Sequence, residues 1–274
     1  MSDGNTPAAV DTRLDEARTQ AQKQWNENPC GAVEGAKDDN DFFRSVEDER
    51  YTQQYWQRDY FDYQSFAGKH VLEIGVGLGT DIKQFARHGA ICHGVDITNK
   101  HLELTQRNFE LEGLNIDLHH ADATQLPFSD NSIDCVHSFG VLHHIPDIET
   151  VLAEVHRVLK PGGQLQIAVY HKYSIHTLAL FVRAIITGDL FRLGISGVLA
   201  TIERGADGQK IKPYVKLYSR RELGGLLKKQ GFEKDKLGVR QIYFLGSDVL
   251  NKLKVFEKMF GWYVCAKYTV SQSS

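Results

Sequence analysis

The chain has 274 residues, of which 42% are hydrophobic and 24% charged, with a formal net charge of −3. That composition belongs to a globular protein of one large domain, or one domain with a cap, and argues against a bulk-electrostatic nucleic-acid binder. The charge is uneven, however: residues 161–274 carry 18 basic against 8 acidic side chains on an otherwise acidic chain. This reads either as solvated helix faces or as attraction of an anionic substrate or membrane surface. Cys30, Cys92, Cys135 and Cys265 show no CxxC pair or zinc spacing, which fits buried thiols in a reducing, cytoplasmic setting. Met1 to Thr12 is polar and lacks an apolar signal core. Thr177 to Thr201 is the nearest approach to a membrane span, and Arg183, Asp189 and Arg192 interrupt it. No membrane span is expected.

In chain order, residues 1–20 are polar and expected to be disordered. Residues 21–66 form an N-terminal helical cap dense in aromatics, with a turn at Asn28-Pro29-Cys30-Gly31 and one or two helices from Phe42 to Phe66. This cap either completes the core or covers a bound ligand, and the two are compatible. The remainder, 67–274, alternates strand and helix. His70 to Ile74 is an apolar strand running into Gly75, Gly77 and Gly79, and a helix follows that Thr80 or Asp81 can cap. Ile91 to Asp96 is the second strand and ends in an acid. Helix Asn99–Leu111, strand Ile116–His120, strand Ile133–Phe139, a helix capped by Asp147, and strand Gln164–Tyr170 complete a βαβ series. An apolar insertion spans 174–210, with two helices broken near Gly188 and Gly194. Helix Arg221–Gln230 and strands Lys236–Phe244 and Trp262–Val270 close the chain. The alternation predicts a Rossmann-like α/β fold with helices on both faces of a mostly parallel sheet.

The glycine turn narrows the ligand. A dinucleotide fingerprint needs G-x-G-x-x-G, whereas this chain has G-x-G-x-G with Thr80 in the last position. Asp96 stands where an acid bonds ribose hydroxyls. The pattern favours a ligand with a ribose and no pyrophosphate. From Gly68 to Tyr170 the ordered segments VLEIGVGLG, GVDIT, ADATQLPF, IDCVHSFGVLHH and RVLKPGG resemble the class I S-adenosylmethionine (SAM) dependent methyltransferases. Trp25 to Gly31 and Glu47 to Tyr51 resemble a bacterial subgroup of the methyltransferase type 11-like enzymes. The resemblance implies a seven-stranded sheet whose last strand is antiparallel, and SAM as cofactor.

The resemblance also assigns residues. Gly75, Gly77 and Gly79 cradle the methionine end of SAM, Glu73 faces its ammonium, Asp96 the ribose, Ile97 the adenine face, Asp122 and Ala123 the adenine edge, and Phe139 and Gly140 pass beneath the sulfonium. Glu73 and Asp122 each have a plainer reading, as a carboxylate satisfied by backbone amides and as a turn cap. His143, His144, Tyr170 and His171 follow strands at the sheet edge where ligands bind open α/β folds, and are the catalytic candidates; either of the paired histidines can instead brace a loop. No metal site is expected. The acceptor is read as a small organic metabolite or natural-product intermediate, partly apolar and carrying an anionic end that Lys210, Lys212, Lys216, Arg220 or Arg221 would receive. A lipid or quinone is the alternative, then tRNA or protein, or SAM binding without catalysis. The segment Ser174–Arg204 is expected either to close over the acceptor as a lid or to complete the core. The sequence leaves the acceptor, the methylated atom and the oligomeric state open.

Overall fold

His70–Ile74 (β1) is rich in β-branched and large aliphatic residues and is covered on both faces, with Val71 and Leu72 fully buried. The computed structural model describes residues 19, 21–23, 25, 38–202, 214–242 and 254–271. The turn expected at Asn28–Gly31, most of residues 1–20, Lys210 and Lys212 lie outside them. From the N-terminus the elements are α1 (Asp39–Gln53), α2 (Gln57–Tyr60), β1, α3 (Ile82–Arg87), β2 (Ile91–Asp96), α4 (Asn99–Glu110), β3 (Asp117–His120) and β4 (Ile133–Phe139). There follow α5 (Ile148–Val158), β5 (Leu159–Tyr170), α6 (Ile175–Ile186), α7 (Asp189–Leu199), α8 (Arg220–Lys229), β6 (Phe232–Arg240), α9 (Lys254–Phe260) and β7 (Tyr263–Val270).

The seven strands form one sheet in the order β3-β2-β1-β4-β5-β7-β6. β1 to β5 pair in parallel, and β7 runs antiparallel between β5 and β6. The strand order reverses between β1 and β4, so a crevice opens beyond their C-terminal ends. Alternation along β1 sends Leu72 and Ile74 into the core formed with α5 and α8, and Val71 into the core formed with α3, α4 and the N-terminal segment. Asp147 caps α5 by accepting the Thr150 amide at 3.1 Å.

The second core is aromatic. Trp56, Tyr60, Phe61, Tyr63 and Phe66 are buried against Phe85, Phe139, Tyr170, Trp262 and Tyr263. At about 1.5–3 kcal/mol for each large apolar side chain fully removed from water, this segment contributes substantially to stability. Helix α1 is fixed by a small apolar cluster, Phe43 and Val46 against Leu78, and by charge. The buried ammonium of Lys83 lies 3.0 Å from Glu47 and 2.9 Å from Glu112, and donates to Asn108 Oδ1 at 2.8 Å. Burial raises the Glu47 carboxyl, but Arg87 and Lys83 outweigh it and hold the pKa at about 2.

Two strands start earlier than the sequence predicts. β5 begins at Leu159, because Leu159 pairs with Ile133 ahead of a register shift in the β4–β5 ladder. β6 occupies Phe232–Arg240 and not Lys236–Phe244. It is an edge strand whose residues Glu233 to Lys236 are all exposed, so it has no continuous apolar run to mark it. The insertion is the helix pair α6–α7, with left-handed Gly188 between the helices and a kink at Gly194. Its helices present Leu178, Ile186 and Phe191 to solvent. Among the described residues no helix is long and apolar enough to cross a membrane.

Candidate active site

A cavity of about 900 Å³ opens at the strand-order reversal. One half is walled by the glycine turn, the end of β2 and the segment after β3. The other half is walled by α1, Trp25, Phe139, His144, Tyr170 and Tyr263.

The turn after β1 requires its glycines. Gly75, Gly77 and Gly79 have φ of 76°, 55° and 74°, in the left-handed region that side chains disfavour. At Gly75 a Cβ would overlap Val141, and at Gly79 it would come within 2.8 Å of Thr105 Cγ2. At Gly77 a Cβ would meet nothing within 4 Å, so this glycine keeps the cavity wall open to a ligand. Gly79 itself does not line the cavity; it packs the turn onto α4.

Asp96 joins the turn to β2. Its carboxylate accepts from the Gly77 amide (3.2 Å), the Thr98 amide (3.0 Å), the Thr98 hydroxyl (2.9 Å) and His101 Nδ1 (3.2 Å). Burial pushes the carboxyl up, but His101 and these amides outweigh it and hold the pKa below the usual carboxylate range. Ile97 and Ala123 line the cavity beside it. Asp122 also lines the cavity while accepting from the amide and hydroxyl of Thr124, both at 2.7 Å. The two readings of Asp122, ligand contact and turn cap, are thus geometrically compatible. Phe139 and Gly140 form the floor at the end of β4.

Glu73 is 3% exposed and lines the cavity. Its Oε2 accepts the Ile82 amide at 3.1 Å, so Glu73, not Thr80 or Asp81, satisfies the first turn of α3. Burial and the neighbouring Asp81 raise its pKa well above the usual range. Asp81 is turned toward the N-terminal cap, where Tyr51 Oη donates to it at 3.0 Å and Arg50 pairs with it at 3.1 Å. Glu73, Asp81 and His137 place donor atoms within 4.8 Å of one another, but the Arg50 guanidinium already supplies the cation there.

The catalytic candidates separate. His144 and Tyr170 line the cavity, while His143 and His171 do not. His143 is fully buried, with its ring centroid 3.7 Å from that of Tyr170, and burial holds its pKa well below the ordinary histidine value. His171 Nδ1 donates to the Gly261 carbonyl at 2.9 Å and braces the chain before β7. His144 Nδ1 lies 2.8 Å from the Tyr214 carbonyl, which can only accept; the ring therefore donates from Nδ1.

Arg50 is the residue that sequence patterns did not single out. It extends from α1 into the cavity, donates to Gln54 Oε1 at 2.9 Å and stands 4.7 Å over the Phe139 ring. Among the described residues it is the one lysine or arginine lining the cavity; Lys216, Arg220 and Arg221 lie elsewhere. No described residue of the α6–α7 insertion lines the cavity either, whereas Val46, Glu49, Arg50 and Gln53 of α1 do. The N-terminal segment therefore both completes the core and walls the site.

The model of the methyltransferase domain family matches residues 72–167. The methyltransferase GfsG of Streptomyces halstedii is 36% identical over 123 residues, 44% of this chain and 43% of that protein. The ubiquinone biosynthesis O-methyltransferase of Aromatoleum aromaticum is 27% identical over 190 residues, 66% of this chain and 74% of that one. A SAM-dependent methyltransferase structure from Methanosarcina mazei superimposes with a TM-score of 0.59 at 21% identity, covering 78% of this chain and 96% of that one. Residues 72–167 thus match the methyltransferase domain family, and the fold and glycine turn are those of SAM-dependent methyltransferase structures; the cofactor this resemblance implies is SAM. The match spans less than half the length of GfsG.

Proposed function

We propose that this chain transfers the methyl group of SAM to a small organic acceptor with an apolar or aromatic body. The observation that carries the reading is one continuous cavity lined both by the glycine turn with its acids and by Phe139, Tyr170 and Tyr263. SAM, when bound, supplies an already activated methyl group. The chain's own residues then have to bind, orient and exclude water. Asp96 presents a charged acceptor to ribose hydroxyls, and the open face of Gly77 admits a close backbone approach. The methionine end is a zwitterion, and Arg50 with its partner Asp81 offers both signs of charge where it would lie, with the Glu73 carboxyl beside them. Phe139, Tyr170 and Tyr263 hold the acceptor body and keep the reacting centre dry. Orientation of this kind supplies roughly 7–11 kcal/mol of a displacement barrier. His144, on the cavity wall and held by its Nδ1 donation to the Tyr214 carbonyl, takes the proton of an acceptor hydroxyl or amine that must lose one to react.

A small metabolite or natural-product intermediate is the first acceptor class. A quinone-like or other lipid acceptor is the second, favoured by the aromatic wall and by the ubiquinone-biosynthesis relative. Cys92, Cys135 and Cys265 are unpaired thiols, which supports placement in the reducing cytoplasm. The test is mass spectrometry of the chain incubated with SAM and panels of phenols, hydroquinones, amines and carboxylates. The expected result is S-adenosylhomocysteine together with one acceptor gaining a methyl group. S-adenosylhomocysteine binding without turnover of any acceptor would favour a SAM-binding module instead.

A further inference from the structure

A second cluster of ligating side chains lies away from the cavity, toward the N-terminal ends of β1, β2 and β3. His93 on β2 is the register partner of Asp117 on β3, and His119 follows Asp117 by two residues, so all three project from one face. Asp117 Oδ2 is 3.4 Å from His93 Nδ1 and 3.0 Å from His119 Nε2. One donor atom from each residue lies within 4.8 Å of the others. On the far side of the His93 ring, Nε2 is 2.9 Å from Nδ1 of His70 on β1. Phe128 closes the cluster from above, with its ring centroid 5.5 Å from His93 and 4.9 Å from His119.

We propose that His93 Nδ1, Asp117 Oδ2 and His119 Nε2 bind a divalent cation of the zinc class. Bonds of roughly 2.0–2.2 Å in a tetrahedron put neighbouring donor atoms about 3.3 Å apart. The two spacings to Asp117 already match that edge, and the half-exposed His119 ring has room to close the third. Two imidazoles and one carboxylate suit zinc and its neighbours, not magnesium or calcium, which take oxygen ligands. The side chain of Asp117 is 60% exposed and leaves an approach from solvent for the ion and for a water as fourth ligand.

His70 completes the arrangement. Without metal, His93 Nδ1–H and His119 Nε2–H can both donate to Asp117. In that state His70 Nδ1–H donates to His93 Nε2; with metal, each ring shifts its proton to its other nitrogen, His119 to Nδ1, His70 to Nε2 and His93 to Nε2, where His70 Nδ1 now accepts it. A ligating histidine held by a hydrogen bond from its other nitrogen is the usual supporting contact of metal sites. The bound ion would tie the four-residue edge strand β3 to β2. It would thereby anchor the strand that leads into Asp122 and Ala123.

The experiment is a Co²⁺ titration of the full, tag-free chain, followed by visible absorption and then by addition of Zn²⁺. The expected result is saturation at one Co²⁺ per chain with the intense absorption of a tetrahedral ion, displaced by Zn²⁺. Asp117→Asn and His119→Ala should each remove the absorption, and His70→Phe should weaken binding by about 10–100-fold. Glu73→Gln should leave it unchanged, which separates this cluster from the acidic one at the cavity. Imidazole proton resonances of His93 and His119 in the wild-type chain should broaden first as Co²⁺ is added, a reading that needs no variant. Absence of saturable binding, unaltered binding in both ligand variants, or first broadening at other histidines would overturn the proposal.

Discussion

The amide of Gly77 donates to Asp96 Oδ2 at 3.2 Å, so the middle of the glycine turn and the acid that ends β2 hold each other in place. A residue of the cradle is thus positioned by the residue proposed to hold the ribose, and either substitution should disturb the same ligand. The Asp96→Ala variant should bind S-adenosylhomocysteine about 1.5–3 kcal/mol more weakly, the range for hydrogen bonds to a charged group. Calorimetry measures this, and unchanged affinity would remove Asp96 from the site.

Gly77→Val should fold with a loss of about 1–2 kcal/mol, because a side chain is placed at a φ of 55°. The larger expected effect is on the ligand: the isopropyl group enters the space that a Cβ finds open, and binding should be lost. Urea unfolding and calorimetry on the same preparation separate the two effects. A folded variant with normal affinity would show that the cofactor approaches elsewhere.

Arg50→Met should raise the Kd for S-adenosylhomocysteine by about tenfold or more, corresponding to a lost charge-assisted hydrogen bond of about 1.5–3 kcal/mol. Adenosine, which lacks the amino-acid end, should bind both proteins alike. If adenosine and S-adenosylhomocysteine lose affinity equally, Arg50 acts by holding α1 against Asp81 and not on the ligand.

Glu73 supplies a prediction in pH. Its carboxyl is raised by burial, so the native state keeps a proton that the unfolded state releases above a pKa of about 4.3. Below that value both states are protonated and nothing is lost. As pH rises through it, the unfolded state binds fewer protons than the native state, and stability falls until Glu73 ionises in the native state. Glu73→Gln retains an acceptor for the Ile82 amide and removes this slope. The ligand-free variant should therefore gain stability over the wild type between pH 5 and pH 8 in urea unfolding. A constant difference across that range would show that Glu73 is already ionised in the native state.

Much of the fold could be read from β1 and β4, whose ends at His70, Ile74, Ile133 and Phe139 are those expected from Val71, Leu72 and Ile74 and from Ile133, Cys135, Val136 and Phe139. Buried parallel strands announce themselves this way because both faces need apolar side chains. The edge strand β6 did not, since exposed positions accept charge. The glycine turn and the acid at Asp96 were legible through spacing, and Asp122 through the resemblance of its segment. Arg50 was not, because an arginine on an amphipathic helix has no local mark of the side it faces; only packing of α1 over Asp81 turns it inward. The separation of His143 from His144 was equally hidden. Adjacent residues in a single helical turn point in different directions, and the one that packs on Tyr170 is fixed by tertiary contact. The cluster of His70, His93, Asp117 and His119 has no sequence motif, because three parallel strands assemble it.

The most direct measurement of the central claim is a crystal structure of the chain soaked with S-adenosylhomocysteine. The expected density follows Gly75 to Leu78, with the ribose on Asp96, adenine beside Ile97 and Asp122, and the amino-acid end between Arg50 and Glu73, leaving the aromatic half for an acceptor. Density on any other face of the molecule, or the ribose away from Asp96, would contradict the account.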